Sequence, residues 1–297
     1  MKYINEIIFE IKKIIKKFRK KIGRFNVKYN YLKRITKMAL KKVGIRELNV
    51  LINSFLAGIC VCLGTTVFLS LNKGPEDQGN KCDLLKRVAG SIYFAFALFI
   101  IINFKMWLFT GKVGFIIENV LKSEWLFFLD LFVCLIGNIL GATGLTLLLR
   151  LTQICKSKQF TDFLNPMINS KRTDEISSMF ILGCYCGFMI YIAVRGSKII
   201  EGDFTKALFI FLAVVVFVCS TFEHSIADCS YFAWTGFKDT ETNEGVFFKD
   251  IKIVFLLAFA NLIGSVLLDL LIQLAVYFSK RDEEMKLKGD QNIENFE

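Results

Sequence analysis

Six apolar runs, near residues 50–71, 88–103, 126–149, 176–195, 205–219 and 252–278, dominate this chain. A helix needs roughly 20 apolar residues to cross the hydrocarbon core of a bilayer, and most of the runs reach that length. Hydrophobic residues make up 54% of the sequence, with 31 Phe and only two Pro. That composition places the chain among membrane proteins. The expected fold is an all-α membrane protein with six transmembrane helices.

The second and fifth runs fall short, and both lead directly into polar residues. The second passes into Asn103-Phe104-Lys105-Met106-Trp107-Leu108-Phe109-Thr110-Gly111, and the fifth into Ser220-Thr221-Phe222-Glu223-His224-Ser225. Two short spans in corresponding places point to discontinuous helices that line a site. His224 is the only histidine in the chain. An acid and an imidazole at membrane depth are expensive, so Glu223 and His224 are expected to face a polar cavity. A helix interrupted there leaves backbone groups that must be satisfied by protein or by a water-lined cavity. This stretch therefore reads as the floor of a pore.

The halves match further. Gly137-Asn138-Ile139-Leu140-Gly141-Ala142 in the third span recurs as Ala260-Asn261-Leu262-Ile263-Gly264-Ser265 in the sixth. Gly58, Cys60 and Cys62 in the first span parallel Gly183, Cys184 and Cys186 in the fourth. Three spans per repeat is an odd number, so the repeats are expected to be inverted in the membrane. Asn138 and Asn261 are read here as packing motifs of the two repeats, with small residues allowing close helix approach.

Charge is concentrated at one end. Residues 1–49 hold sixteen Lys or Arg against three Glu, whereas the whole chain carries +11. Ile4, Ile8, Ile11, Ile15, Phe18 and Ile22 form a heptad-like seam within this arm. The arm is read as a basic amphipathic helix on anionic lipid, with a coiled coil between subunits as the alternative. With an even number of spans, the positive-inside tendency puts both termini in the cytoplasm. The domain boundaries expected are a basic arm 1–49, a six-span domain 50–278 and a frayed charged tail 279–297. Outer loops then fall at 72–87, 150–175 and 235–250. Most cysteines lie inside apolar runs as small hydrophobes. Cys82, Cys155 and Cys229 are in or near polar segments, and spacing leaves open whether any two are bridged.

These residues together resemble the formate/nitrite transporter family. Leu108-Phe109-Thr110-Gly111 is similar to that family's motif after its second helix, and Phe222-Glu223-His224-Ser225-Ile226-Ala227 to its fifth-helix motif. The resemblance covers roughly 50–278. It implies an aquaporin-like fold and a homopentamer with one pore per subunit. It also implies transport of a small monovalent anion or its weak acid, of the formate, nitrite, hydrosulfide or lactate class, in the cell membrane. Carried over by motif position, Thr110 and His224 flank the central constriction, and Lys171 falls near the pore. Phe94 and Leu98, with Leu108, form one apolar constriction, and Phe217 closes the other end.

The chain also departs from the family pattern. Lys105 and Trp107 stand before the Leu-Phe-Thr motif where a small residue and an acid are usual. Gly187 replaces Asn, Thr221 replaces Gly, and Asp228 replaces Asn. Lys105 and Asp228 are expected to compensate each other in a rebuilt site.

Three other functions compete with this one. A membrane enzyme using Glu223 and His224 lacks any accompanying nucleophile, metal cluster or cofactor motif, and adjacent helical residues point in different directions. No cofactor and no metal are expected. Nucleic-acid binding by the arm would be salt-sensitive, but it leaves both polar breaks unexplained, so no nucleic-acid partner is expected. A pore for a neutral solute is the runner-up. In the preferred reading, Lys171 attracts an anion, apolar rings strip its water, and a proton supplied near His224 lets the neutral acid cross.

Overall fold

The structure is a computed structural model and describes residues 44–72, 80–242 and 244–294. The isoleucine seam and most of the basic arm, residues 1–43, lie outside the described residues. By internal packing the chain divides after Leu48, and the helices below belong to the unit Asn49–Glu297 apart from the first residues of α1.

In chain order the helices are α1 (Ile45–Leu71), α2 (Asn80–Asn103), α3 (Phe109–Lys112), α4 (Ile116–Leu121), α5 (Leu126–Arg150), α6 (Lys158–Thr173), α7 (Ile176–Ile199), α8 (Asp203–Cys219), α9 (Ser225–Trp234) and α10 (Phe247–Glu294). Single 3-10 turns join α3 to α4 and precede α6. The described residues form no sheet, only an isolated bridge between Lys238 and Gly245.

Five helices, α1, α2, α5, α7 and α10, are long and apolar enough to cross a membrane. The second run is therefore longer than expected, because its helix reaches back to Asn80. Only α8 stays short. Its 17 residues rise about 26 Å, against a hydrocarbon core of about 30 Å. The tail also differs from expectation. Residues 279–294 continue α10 without a break, since no proline interrupts the run and Arg281 Nη1 reaches Tyr277 Oη across one turn at 3.3 Å.

Polarity runs outward to inward in the order that lipid demands. Leu63, Phe132, Leu148, Leu212, Phe259 and Leu267 are exposed, whereas Ser54, Thr65, Asn138, Thr146, Asn261 and Ser265 are buried. Without water outside, there is no advantage in turning apolar side chains inward, and packing and hydrogen bonds join the helices instead.

Those bonds also give direction. Asn138 to Ser54 and Cys62 to Thr146 share a separation of 84 residues. Asn261 to Gly183, Ser265 to Gly187 and Tyr191 to Asp269 share a separation of 78. A constant difference along two helices means that they run the same way, so α1 is parallel to α5 and α7 to α10. The chain must return between the members of each pair, and the broken segments provide that return. Glycine permits the close approach. A Cβ on Gly141 would stand 2.1 Å from Phe55 O, and one on Gly264 would stand 2.0 Å from Cys184 O. A side chain at either position would force the pair apart.

The expected outer loop 150–175 is mostly the amphipathic helix α6. Ser157 caps it, accepting from Phe160 N at 3.3 Å. Phe160, Leu164, Ile168 and Arg172 form its buried stripe at four-residue intervals. The stripe rests on α9, with the rings of Phe160 and Trp234 5.1 Å apart.

Candidate functional site

Both breaks are built in the same way. At the end of α2, Lys105 N donates to Ile102 O and Met106 N to Ile101 O. At the end of α8, Thr221 N donates to Val218 O and Phe222 N to Phe217 O. This is the pattern of a helix closed by one residue in the left-handed region, and Lys105 and Thr221 both have φ of 55°. Three residues of chain follow, and a new helix starts at Phe109 or Ser225.

The freed backbone groups are held by the two repeated asparagines. Asn138 Oδ1 accepts from Phe109 N (2.7 Å), while its Nδ2 donates to Trp107 O (2.8 Å) and Ser54 O (2.7 Å). Asn261 Oδ1 accepts from Ser225 N (3.1 Å), while its Nδ2 donates to Glu223 O (2.9 Å) and Gly183 O (2.8 Å). Both asparagines are fully buried. An amide has one acceptor and two donors, and each break needs that set. These residues do more than separate helices, because they satisfy the backbone where each helix is interrupted.

The breaks meet at Thr110 and His224, with Thr110 Oγ1 2.9 Å from His224 Nε2. His224 is also the N-cap of α9, and its Nδ1 accepts from Ala227 N at 3.1 Å. A nitrogen that accepts carries no proton, so the neutral ring bears its proton on Nε2 and donates it to Thr110. The Thr110 hydroxyl hydrogen is then free to point elsewhere. A second proton, on Nδ1, would face the Ala227 N–H. Protonating Nδ1 would therefore cost the cap of α9.

On the adjoining side, Lys171 from α6 ion-pairs with Glu223 and lies 2.8 Å from Asp228 Oδ1. Burial alone would lower the Lys171 ammonium, but the carboxylates of Asp228 and Glu223 outweigh it and hold the group above its ordinary value. Lys171, Glu223, His224, Asp228, Phe94 and Phe217 all line one cavity of about 680 Å³.

The formate/nitrite transporter family model matches residues 29–275. The chain belongs to the formate/nitrite transporter family. It is 26% identical over 208 residues to the uncharacterized transporter YwcJ of Bacillus subtilis, covering 68% of this chain and 80% of that protein. It is 22% identical over 197 residues to the uncharacterized transporter YHL008C of Saccharomyces cerevisiae, covering 65% of this chain but only 31% of the yeast protein. Among solved structures it is similar to an FNT family ion channel, with a TM-score of 0.66 and 20% identity over 78% of this chain and 90% of that one. It is also similar to a pentameric formate channel with formate bound, with a TM-score of 0.65 and 18% identity over 78% and 98% of the two chains. These likenesses establish the fold. This member of the family is a multi-pass membrane protein of the channel and transporter class.

Two expectations for the site need correction. Phe94 and Phe217 do not sit at opposite ends. Their rings are 5.8 Å apart in an edge-on pair, and Phe217 lies 6.0 Å from the His224 ring. The reason is that α8 packs against α2, which brings the first half of one broken span onto the other. Leu98 and Leu108 are buried in the core and are absent from the lining of the cavity. Nor is Lys105 the partner of Asp228. Lys105 is exposed on the turn after α2, and the cation on Asp228 is Lys171.

Sequence reasoning missed the anchor of α6. Arg172 Nε and Nη2 donate to the two carboxylate oxygens of Asp250 at 2.8 and 2.7 Å, and Nη1 to Lys238 O at 3.0 Å. Both residues are buried. They stand 78 residues apart at the edges of different helices, so no spacing announced them. The Tyr191–Asp269 contact did carry a signal, an acid inside the sixth apolar run, since such a group requires a partner at membrane depth.

Proposed function

We propose that this protein is a membrane channel or transporter for a small monovalent anion or its weak acid, of the formate, nitrite, hydrosulfide or lactate class. The reading takes the fold as six spans in an aquaporin-like inverted 3+3 repeat, with α2–α4 and α8–α9 as its broken second and fifth members. It takes the assembly as a homopentamer in the cell membrane, by analogy with the pentameric formate channel. Residues 1–49 form a cytoplasmic arm on anionic lipid, 50–278 the transport domain and 279–297 the cytoplasmic tail.

The observation that carries the reading is the Thr110–His224 hydrogen bond, which joins the two breaks beside the cavity. Lys171 draws the solute toward the cavity. The Phe94–Phe217 pair removes its water, and an unpaired charge is very costly at such a point. The favoured crossing species is therefore the neutral acid, or an anion shielded by donors. His224 Nε2–H fixes the Thr110 oxygen as acceptor, so the Thr110 hydroxyl donates to the passing solute.

A neutral-solute pore is the second reading, favoured by one fact. Two carboxyl groups surround Lys171, which weakens its attraction for an anion. Liposome uptake of formate, nitrite, hydrosulfide and lactate, with a pH gradient imposed in each direction, tests both readings. The proposal expects saturable uptake of at least one anion, accelerated by an inward proton gradient. His224→Asn keeps a capping side chain and should still conduct, whereas His224→Phe loses both the cap and the partner of Thr110 and should not conduct. Glycerol or urea flux without any anion flux would overturn the proposal in favour of the neutral pore.

A further inference from the structure

The cluster on Lys171 holds more negative charge than its cation can balance. Glu223 ion-pairs with the ammonium, and Asp228 Oδ1 lies 2.8 Å from it. Glu223 is 6% exposed and Asp228 only 1%. The second oxygen of Asp228, Oδ2, accepts no hydrogen bond among the described residues, although Asp228 lines the cavity.

Among the described residues, Lys171 is the one cation that ion-pairs with Glu223 and Asp228. From α2 comes Arg87, exposed at the cavity wall, and from α6 come Asp162 and Asp174, also exposed. Tyr231 on α9 places its ring 5.7 Å from Lys171 Nζ. Cys186 on α7 is a buried thiol. His224 lines the same cavity, but its Nδ1 is occupied by Ala227 N. Two carboxyl groups sharing a confined site avoid carrying both charges by keeping one proton between them, and an unbalanced buried charge is costly.

We propose that Lys171, Glu223 and Asp228 form a proton-loading site that holds one exchangeable proton and transfers it to a weak-acid anion arriving in the cavity. The inference rests on the transport reading above. In the transfer, the O–H bond on Asp228 breaks and a new bond forms between that proton and an oxygen of the anion. Asp228 is left as carboxylate, and the neutral acid moves on past the Phe94–Phe217 pair to Thr110. A water-borne proton from the cavity mouth then recharges Asp228. Lys171 serves both steps, drawing the anion in and stabilising the carboxylate left behind. His224 keeps its capping bond throughout.

The test uses the full chain in liposomes, formate as probe, and Asp228→Asn beside the wild type. Wild-type uptake should fall roughly tenfold per pH unit above the titration midpoint of the site, as for one proton per turnover. In Asp228→Asn the profile should flatten and the lumen should acidify less per formate taken up, with Asp228→Glu restoring both. An Asn variant with the wild-type pH profile and the same proton count would overturn the proposal. Infrared difference spectra give an independent reading on wild-type protein. The carbonyl stretch of a protonated carboxyl group should be present near neutral pH and bleach on addition of formate. Its absence at every pH would overturn the proton site even if Asp228→Asn does not fold. If no weak acid is transported at all, the transport reading has failed, and the titrating infrared band alone then decides whether the proton site exists.

Discussion

Asn261→Ala tests whether the interrupted fifth segment depends on one side chain. The amide satisfies three backbone groups, Ser225 N, Glu223 O and Gly183 O. Gly183 O belongs to α7 and keeps its intrahelical bond. Ser225 N and Glu223 O lie at the break, and at this depth there is no bulk water to replace the lost partner. Two orphaned groups cost about 1–3 kcal/mol each, and the lost third bond about 0.5–1.5 kcal/mol. We therefore expect a loss of about 5 kcal/mol. At about 2–4 °C per kcal/mol for a chain of this class, the thermal midpoint in detergent should fall by roughly 10–20 °C. Asn138→Ala should cost a similar amount, since its three bonds match in kind, to one N–H and two carbonyls. Asn261→Asp should be no better than Ala, because a carboxylate keeps the acceptor but places its second oxygen against two carbonyls. Uptake per folded protein should fall in each variant, as His224 caps the helix that begins at Ser225. A loss below about 1 kcal/mol in Asn261→Ala, with uptake unchanged, would refute the idea that the amide holds the break.

Two further expectations concern strain and the apolar seal. Thr221 is a β-branched residue at φ 55°, a conformation that costs about 1–2 kcal/mol, so Thr221→Gly should stabilise the protein by about 0.5–1 kcal/mol after the entropic cost of glycine. Thr221→Ala should not, and a destabilised Gly variant in a thermal melt would show that the turn is unstrained. Phe94→Ala and Phe217→Ala should each raise leak of small anions, and the double variant should leak little more than either single one. Additive effects on leak in a double-mutant cycle would mean that the two rings do not act as one seal.

Much of the plan was legible in the amino-acid sequence, for a local reason. Apolar runs of bilayer length need no knowledge of their neighbours to be recognised as membrane helices, because each satisfies its own backbone. The same holds for the interruptions, which announced themselves as polar residues at the ends of short runs, and for the asparagines, which recur at matching places in the two halves. The function of those asparagines was not legible. Each spans to a break tens of residues away, and only the packed structure shows that one amide serves two carbonyls and one N–H.

Side-chain partners across helices were decided by tertiary structure alone. Phe217 was expected at the far end of the pore and instead meets Phe94, because the packing of α8 on α2 fixes depth in the membrane, which hydropathy does not encode. Asp228 was expected to answer Lys105 and instead shares Lys171 with Glu223, since α6 folds back over the cavity. That return depends on Arg172 gripping Asp250, a pair set by the meeting of two helix ends. The sequence determines which segments enter the membrane and where they break, because hydrophobicity and backbone satisfaction are properties of each segment. Which charges meet inside is a property of the assembled helices, because Coulombic pairing depends on distance in space and not on distance along the chain.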